Sequence, residues 1–438
     1  MVMPDRLEER LSRLPEGWEV VPLGGLPTAR LIGYGITRPG EHADSGVGMV
    51  RAADVQDGRL HNDKPKRISR EVHEAGLRSQ LEVGDVVVVL VGRVGEAAVV
   101  TEEFHHWNAS RTVGIIRPAE PGDAAWLRLW LGSPDVREWC ERRTTGSTLQ
   151  RTLSLAALRD LPVPIPPAAP RAAFLRAMCL LEAKTATNVR IAECATELSD
   201  AQFMVENRNS EIWPGQPFGT LAELAAADAP RPPADEDGMP EGGGIPFVAP
   251  GDILQSDMPH LYRTERRLPF GQAGSACDPG SLLVASREDG VRAVMNRVPV
   301  AVGRGVLVLR PESVTDGYWL LHEIRSRGTE LVAAAQGSAG RELSRRAFGA
   351  TLVRWPPQDV RERFARLADR LHARAHTAHG ENETLRVLRG QALDGFLAGS
   401  FGGMAAMRNP SDSARCFAAC RSSGQNPTCQ LPSAGVAH

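Results

Sequence analysis

The stretch TTGSTLQRTLSLAALRDLPVPIPP at 144–167 gathers side chains suited to a polyanion. Thr145, Gly146 and Ser147 make a polar segment without bulk, so its backbone can approach another molecule closely. Gln150 carries an amide that pairs bidentately with adenine, and Arg151 a guanidinium that pairs with guanine or phosphate. A weaker copy, AQGSAGRELSRRAFGATLVRWPP at 335–357, offers Gly337, Ser338, Arg341, Arg345 and Arg346, with only Glu342 opposing. Arg51, Arg93 and Arg111 fall beside expected strand ends, and Arg287, Arg292 and Arg304 near the matching places of the second half. Any one of these arginines reads equally as a solvated surface charge. As a group on a loop at a domain end they favour a nucleic acid as ligand.

Other chemistries find little support. There is no G-x-x-x-x-G-K-[ST] and no Gly-Lys pair, so a Walker-type nucleotide site is excluded. SGVGMVR at 45–51 lacks the third glycine of a dinucleotide fingerprint, and no Asn-Pro-Pro or Asp-Pro-Pro tetrad with an aromatic occurs. His105 and His106 have no neighbours to complete a metal-ligand set and read as a solvated loop. Glu182 and Lys184 have the local spacing of a nuclease site, but on a long helix they read as a surface ion pair. The seven cysteines show no zinc spacing, and an odd count in a long chain argues against a disulfide framework. The charged start MVMPDRLEERLSRLPEGW has no apolar signal core, and no stretch reaches the roughly 18 apolar residues of a membrane helix. A cytoplasmic chain is expected. The net charge of −2 gives no global argument for nucleic acid. Lys64, Lys66 and Lys184 are the only lysines; base composition of the coding sequence explains most of that bias toward arginine.

The chain is written twice. VGMVRAADVQDGRL at 47–60 resembles IPFVAPGDILQSDM at 245–258, and LEVGDVVVVLVGRVGEAAVV at 81–100 resembles CDPGSLLVASREDGVRAVMN at 277–296. SRTVGIIRP at 110–118 resembles GRGVLVLRP at 303–311. Each half holds several short strands and a helix: Ser133 caps one that begins at Pro134, and Asp316 is the expected cap of its counterpart. After each proline ladder the composition turns helical. One apolar seam takes Phe174, Met178, Leu181, Thr185, Asn188, Ala192 and Ala195. The other takes Val360, Phe364, Leu367, Leu371, Arg374, Ala378, Glu381, Leu385, Leu388 and Ala392. Neither stripe is strong enough to stand alone in water. The expected fold is mixed α/β: two similar globules, each followed by a long helix, with the helices pairing as an antiparallel coiled coil. Packing of each helix on its own globule is the other reading.

The order of LPEGWEVVPLGGL (14–26), VRAADVQDGRL (50–60), LEVGDVVVVLVGRVGEAAVV (81–100), the 144–167 stretch and the helix after it resembles the DNA-specificity subunit of type I restriction–modification systems, over roughly residues 14–400. The second half departs from the pattern: its opener EIWPGQPFGTLAEL is a loose echo, and the ladder shrinks to LVRWPP. The resemblance implies target-recognition domains at 14–167 and 212–357, spacer helices at 168–207 and 358–400, and a disordered tail at 404–438. It implies a chain without catalysis or cofactor of its own. Each globule would read half of a split site in double-stranded DNA. Two methyltransferase subunits would use S-adenosylmethionine for adenine methylation, and a restriction subunit, which can join them, would use ATP with magnesium. The competing readings are a stand-alone DNA-modifying enzyme and a protein-interaction scaffold without sequence readout.

Overall fold

The computed structural model describes residues 6–400 apart from 57, 64, 146–150, 228–243, 257, 265, 270–275, 288–289 and 336–343. It divides into two compact units, Met1–Lys184 with Leu385–His438, and Thr185–Thr384. The tail expected at 404–438 lies outside the described residues. Among the described residues no helix is long and apolar enough to cross a membrane.

In the first unit the strands that frame the core and the site are β1 (Glu19–Pro22), β2 (Ala29–Tyr34), β3 (Val47–Val50), β4 (Val86–Val89), β5 (Ala97–Val99), β6 (Asn108–Ala109), β7 (Val113–Pro118) and β8 (Pro162–Ile165). The main sheet runs β2-β7-β4-β5, all antiparallel. The unbroken run of valines in β4 has a physical cause. Val86 and Val88 point into one apolar core, Val87 and Val89 into another on the opposite face. A second small sheet places β3 parallel to β6. Helices α1 (Pro121–Leu131) and α2 (Pro134–Arg142) cover the first core. Ser133 caps α2 by accepting from Val136 N–H. The proline ladder forms β8, paired antiparallel with β1. Two of its carbonyls accept from indoles, Trp126 Nε1 on Pro164 O at 2.8 Å and Trp130 Nε1 on Pro162 O at 3.0 Å.

The second unit repeats this order with β9 (Gly215–Pro217), β10 (Ala222–Ala226), β11 (Ile245–Val248), β12 (His260–Leu261), β13 (Leu282–Arg287), β14 (Gly290–Asn296), β15 (Ala301–Val302), β16 (Leu307–Pro311) and, late in the chain, β17 (Leu352–Arg354). Its main sheet runs β10-β16-β13-β14-β12, β11 lies parallel to β15, and β9 pairs with β17. The alternation in β4 recurs in β13: Leu282 and Val284 enter one core, Leu283 and Ala285 another. The stretch expected as the counterpart of α2 departs from expectation. Its first helix is capped by Ser313, which accepts from Asp316 N–H at 3.1 Å, so Asp316 sits inside the first turn. The stretch holds two helices, Val314–Ser326 (α3) and Gly328–Ala335 (α4), which follow β16 as α1 and α2 follow β7. Where α4 begins, a Cβ on Gly328 would stand 2.5 Å from Val291 O.

Two long helices remain, αI (Ala168–Glu206) and αII (Gln358–Leu397). At about 1.5 Å per residue each extends roughly 60 Å. In the first unit Phe174 and Met178 of αI and Leu393 and Phe396 of αII share the core with α1. The Phe174 and Phe396 rings stack at 4.2 Å. In the second unit Phe203 of αI and Phe364 and Ala368 of αII pack on Trp319 of α3, and Ala192 and Ala195 meet Ala375 and Ala378. Asn188, fully buried, donates to Glu381 Oε2 at 2.9 Å and Asn382 Oδ1 at 3.0 Å. The seam written for αI is the buried one. That for αII needs correction: Leu367, Arg374 and Leu388 are exposed, and Ala368, Ala375 and the half-buried Arg389 take the inward places. Phe364, Ala378 and Leu385 of the expected seam are buried; at the three exposed positions small or polar residues take the inward place, so counting large apolar side chains reads one residue early there.

Phe396 lies 5.1 Å from the Trp18 ring and 5.8 Å from Trp126. Phe396→Ala should therefore cost the first unit about 3–5 kcal/mol. Thermal unfolding followed by tryptophan fluorescence should show a lowered midpoint for that unit; an unchanged midpoint would mean αII does not close this core.

Candidate nucleic-acid interface

Four of the arginines singled out in the first half are drawn together by backbone pairing. Val50, the last residue of β3, accepts from Ser110 N–H at 2.8 Å, which puts Arg51 beside Arg111. Ala52 N–H donates to Thr112 Oγ1 at 3.1 Å, and Leu90 N–H to Thr112 O at 2.8 Å. Leu153 N–H then donates to Leu90 O at 2.8 Å and Gly92 N–H to Arg151 O at 2.9 Å. Arg51, Arg93, Arg111 and Arg151 thus all leave the ends of neighbouring strands. Gly92, at φ 88°, lets the chain turn left-handed after β4. Gly35 allows the close approach of β2's end to β6, where a Cβ would stand 1.8 Å from Ala109 O.

The four guanidiniums are not equally available. Arg51 is fixed: its Nε and Nη2 donate to the Asp54 carboxylate at 3.1 and 2.9 Å, and its backbone N–H to Asp54 Oδ2 at 2.7 Å. The hydrogen bond it donates to Asp54 raises the Arg51 pKa above its ordinary value, against partial burial. Arg93 donates to Val55 O at 3.0 Å and lies 3.5 Å from Glu96. Arg151 is 3.9 Å from Glu141. Arg111 is exposed, and among the described residues its side chain has no hydrogen-bond or ion-pair partner. Thr145 faces Thr152 in an isolated bridge. Gly146, Ser147 and Gln150 lie outside the described residues.

The second unit keeps the frame and changes the side chains. Val248 O accepts from Gly303 N–H at 2.8 Å, as Val50 O does from Ser110, so Arg304 stands where Arg111 stands. Arg304 is likewise exposed and unpartnered among the described residues. Ala249 replaces Arg51. Its N–H still donates to a carboxylate, Asp252 Oδ2 at 2.7 Å, but the guanidinium now comes from Arg266, whose Nη2 is 3.0 and 3.2 Å from the two oxygens. Arg266 was not singled out in the sequence. The aligned blocks VRAAD and VAPGD carried half the signal, the shared aspartate, and not the cation, which comes from a different segment. Arg292, opposite Ala285 on β14, is exposed. Arg287 ends β13 opposite Gly290, and its side chain lies outside what is described. Gly337, Ser338 and Arg341 are also outside. Arg345 and Arg346 are exposed but do not sit on a loop: they open the helix Arg345–Ala350, capped by Ser344 as Ser154 caps Leu155–Arg159.

Other expected features resolve simply. The His105 and His106 rings stack at 3.8 Å, and no group of three donors arranged to hold a metal occurs among the described residues. Glu182 is held by Arg128 and by Arg389 Nη2, the latter at 3.0 Å, so its ion pairs cross to other elements. The arrangement offers cations at strand ends, and no group of three metal donors accompanies them among the described residues. It can bind an anion.

With this geometry in place, comparison with known proteins supplies a class: the chain is similar to specificity subunits of type I restriction–modification systems. No family profile matches it. Over 155 residues it is 29% identical to the type I restriction enzyme EcoBI specificity subunit of Escherichia coli, a match covering 35% of this chain and 32% of that protein. The match thus spans about a third of the length of the curated relative. Among solved structures it is similar to the type I restriction–modification S subunit from M. genitalium (12% identity, TM-score 0.48, 87% of this chain and 96% of that one). It is also similar to the HsdS subunit from Thermoanaerobacter tengcongensis (17%, 0.34, 88% and 98%). A chain from a study of complex assembly and conformational transition in the type I system gives 17% identity and a TM-score of 0.40 over 88% of this chain and 99% of its own.

Asp54 and Asp252 hold the turn that follows β3 and β11. Asp54→Ala leaves the Arg51 N–H and guanidinium without their acceptor and should lower stability by about 1–2 kcal/mol. Asp252→Ala should do the same in the second unit. Urea unfolding of each variant measures this, and a variant as stable as the parent would remove the aspartate from the argument.

Proposed function

We propose that this chain is the DNA-specificity subunit of a type I restriction–modification complex and that it reads a bipartite site in duplex DNA, one half per globule. The observation that carries the reading is the repeated frame in which Arg111 and Arg304, exposed and without side-chain partners among the described residues, leave equivalent strand ends. Similarity to the EcoBI specificity subunit supports it over a third of the chain. Arginines at such positions contact phosphate or the major-groove edge of guanine. The chain itself is non-catalytic on this reading. Methyl transfer, with S-adenosylmethionine, belongs to two methyltransferase subunits; cleavage, with ATP and magnesium, belongs to restriction subunits. All act in the cytoplasm, where the DNA is.

The long helices would then pair as an antiparallel coiled coil and serve as the spacer between two target-recognition globules. Asn188, buried against Glu381 and Asn382, supports a fixed register, since a single buried polar residue penalises slipped pairings. The exposed Leu180, Val189, Leu198 and Met204 of αI offer apolar surface for methyltransferase subunits.

The test is methylome sequencing of cells carrying this chain with a methyltransferase subunit of the same system. A two-part motif with a fixed gap is expected, and a continuous motif or none would overturn the reading. Arg111→Gln should weaken binding through one half-site only, and Arg304→Gln through the other. If each touches a phosphate, each should reduce the salt slope of binding by about 1. Four residues inserted between Asn188 and Val189 add about one turn, so the gap should lengthen by one or two base pairs. Full activity at the original gap would show that αI does not set the distance.

A further inference from the structure

Inside the second unit three histidine rings touch in a row, and the proposed function gives them no task. His260 comes from β12, His322 from α3 and His372 from αII. All three are buried, at 5%, 1% and 1% exposure. His322 Nδ1 is 2.7 Å from Asp200 Oδ1 of αI. His322 Nε2 is 3.2 Å from His372 Nε2, and His372 Nδ1 is 3.1 Å from His260 Nε2. His260 Nδ1 accepts from Arg297 Nε at 3.1 Å.

The chemistry of the two ends sets the direction. The Asp200 carboxylate only accepts. Burial opposes its charge, but the hydrogen bonds from His322 and Arg325 hold it well below the usual carboxylate range. His322 must therefore carry its proton on Nδ1 and present a bare Nε2. The facing His372 Nε2 must donate. Ser199 Oγ, 3.1 Å from the same nitrogen, already donates to Thr196 O at 2.8 Å, so it too accepts. His372 Nδ1 is then bare and accepts from His260 Nε2–H, and His260 Nδ1 is bare and accepts from Arg297. Every ring nitrogen is engaged in one sense, from a cation to an anion, with the His372 Nε2–H shared between His322 Nε2 and Ser199 Oγ.

We propose that His260, His372 and His322 form a one-way hydrogen-bond relay, competent only while all three rings are neutral, that ties the second unit's sheet to its segments of αI and αII and lets go on acidification. A proton added to any ring sets donor against donor. The surroundings do not relieve this. Arg325 and Arg297 flank the row. Tyr318 packs 5.7 Å from His260 and 5.6 Å from His372, and its hydroxyl donates to Asp369. His376 stacks on Tyr262 beside it. Asp200 alone favours a charged ring. Burial lowers the pKa of all three, His372 to about 2, with the neighbouring histidines and Arg297 or Arg325 adding to the effect. The folded values lie below the ordinary 6.5, so the relay's stabilisation is complete above about pH 6.5 and is lost as the pH falls below it. No metal-holding group of three donors occurs among the described residues, which favours a relay over a metal site.

The experiment uses the full chain, labelled with ¹⁵N-histidine. Long-range proton–nitrogen spectra at pH 7.5 should show one ring protonated at Nδ1 and two at Nε2 among the buried histidines, none titrating down to about pH 5. Unfolding at pH 5.5 should take up about three protons at these rings. His372→Gln keeps a donor and an acceptor but cannot be protonated, and should reduce that uptake by about one. A ring titrating near 6.5, a different tautomer pattern, or equal uptake in His372→Gln would overturn the proposal. So would one equivalent of zinc held by the parent and lost in the variant. If the variant does not fold, the parent's tautomers and titration decide alone.

Discussion

A helix of forty residues whose inward face is largely alanine cannot stay folded by itself in water, and the rest of this molecule is arranged around that fact. Helix propensity adds little per residue, and a thin stripe buries little area. The large side chains are at the ends. Phe174 and Phe396 stack within the first unit's core, and Phe203 and Phe364 pack on Trp319 in the second. Each long helix is thus anchored by aromatic residues that also complete a sheet's core. Between the anchors, Ala192, Ala195, Ala375 and Ala378 let backbones come close, and Asn188 fixes which residues face which. Specific register comes from the polar contact; most of the stability comes from the anchors.

The same economy governs the strand ends. One backbone frame appears twice, with Val50 and Val248 accepting from the residue before an exposed arginine. An aspartate four residues after that valine closes the turn in both units. In the first the cation facing that aspartate is the chain neighbour Arg51; in the second it is Arg266, which also lies 5.4 Å over the Phe247 ring. The ion pair is retained while the residue that supplies it changes. That is expected where a carboxylate is partly buried and must be paired, and where the source of its partner is indifferent.

This explains which parts of the structure were legible in the sequence. The strand of valines, the Ser133 cap and the prolines ahead of each long helix are local signals, and they read directly. The duplication read because glycine and proline positions recur in order. Part of the register of αII did not, because His372 and Ala375 are buried, and Arg389 half-buried, for reasons that involve distant partners: a histidine row, a facing alanine, Glu182. The arginines read as a class but not individually. Which of them is held by a carboxylate depends on residues brought near by the fold, as Glu96 and Glu141 show. The cap at Ser313 was missed because Asp316, three residues later, is equally good in type, and only the backbone decides.

A net charge of −2 bears little on whether such a chain meets an anion, since many of its arginines are already answered from within. Arg117 is engaged by Asp85 and Glu82, Arg325 by Asp200, Arg327 by Glu323 and Glu330, and Arg363 by Glu206. These pairs cancel locally and contribute little field beyond a Debye length of about 8–10 Å. The cations without an internal carboxylate are what a ligand encounters, and Arg111 and Arg304 are among them, at equivalent strand ends in the two units. An arginine that is held straight by backbone pairing at its own N–H, as Arg111 is by Ile36 O, loses less entropy on binding than one on a free loop. Summed charge therefore underestimates what two placed guanidiniums can do.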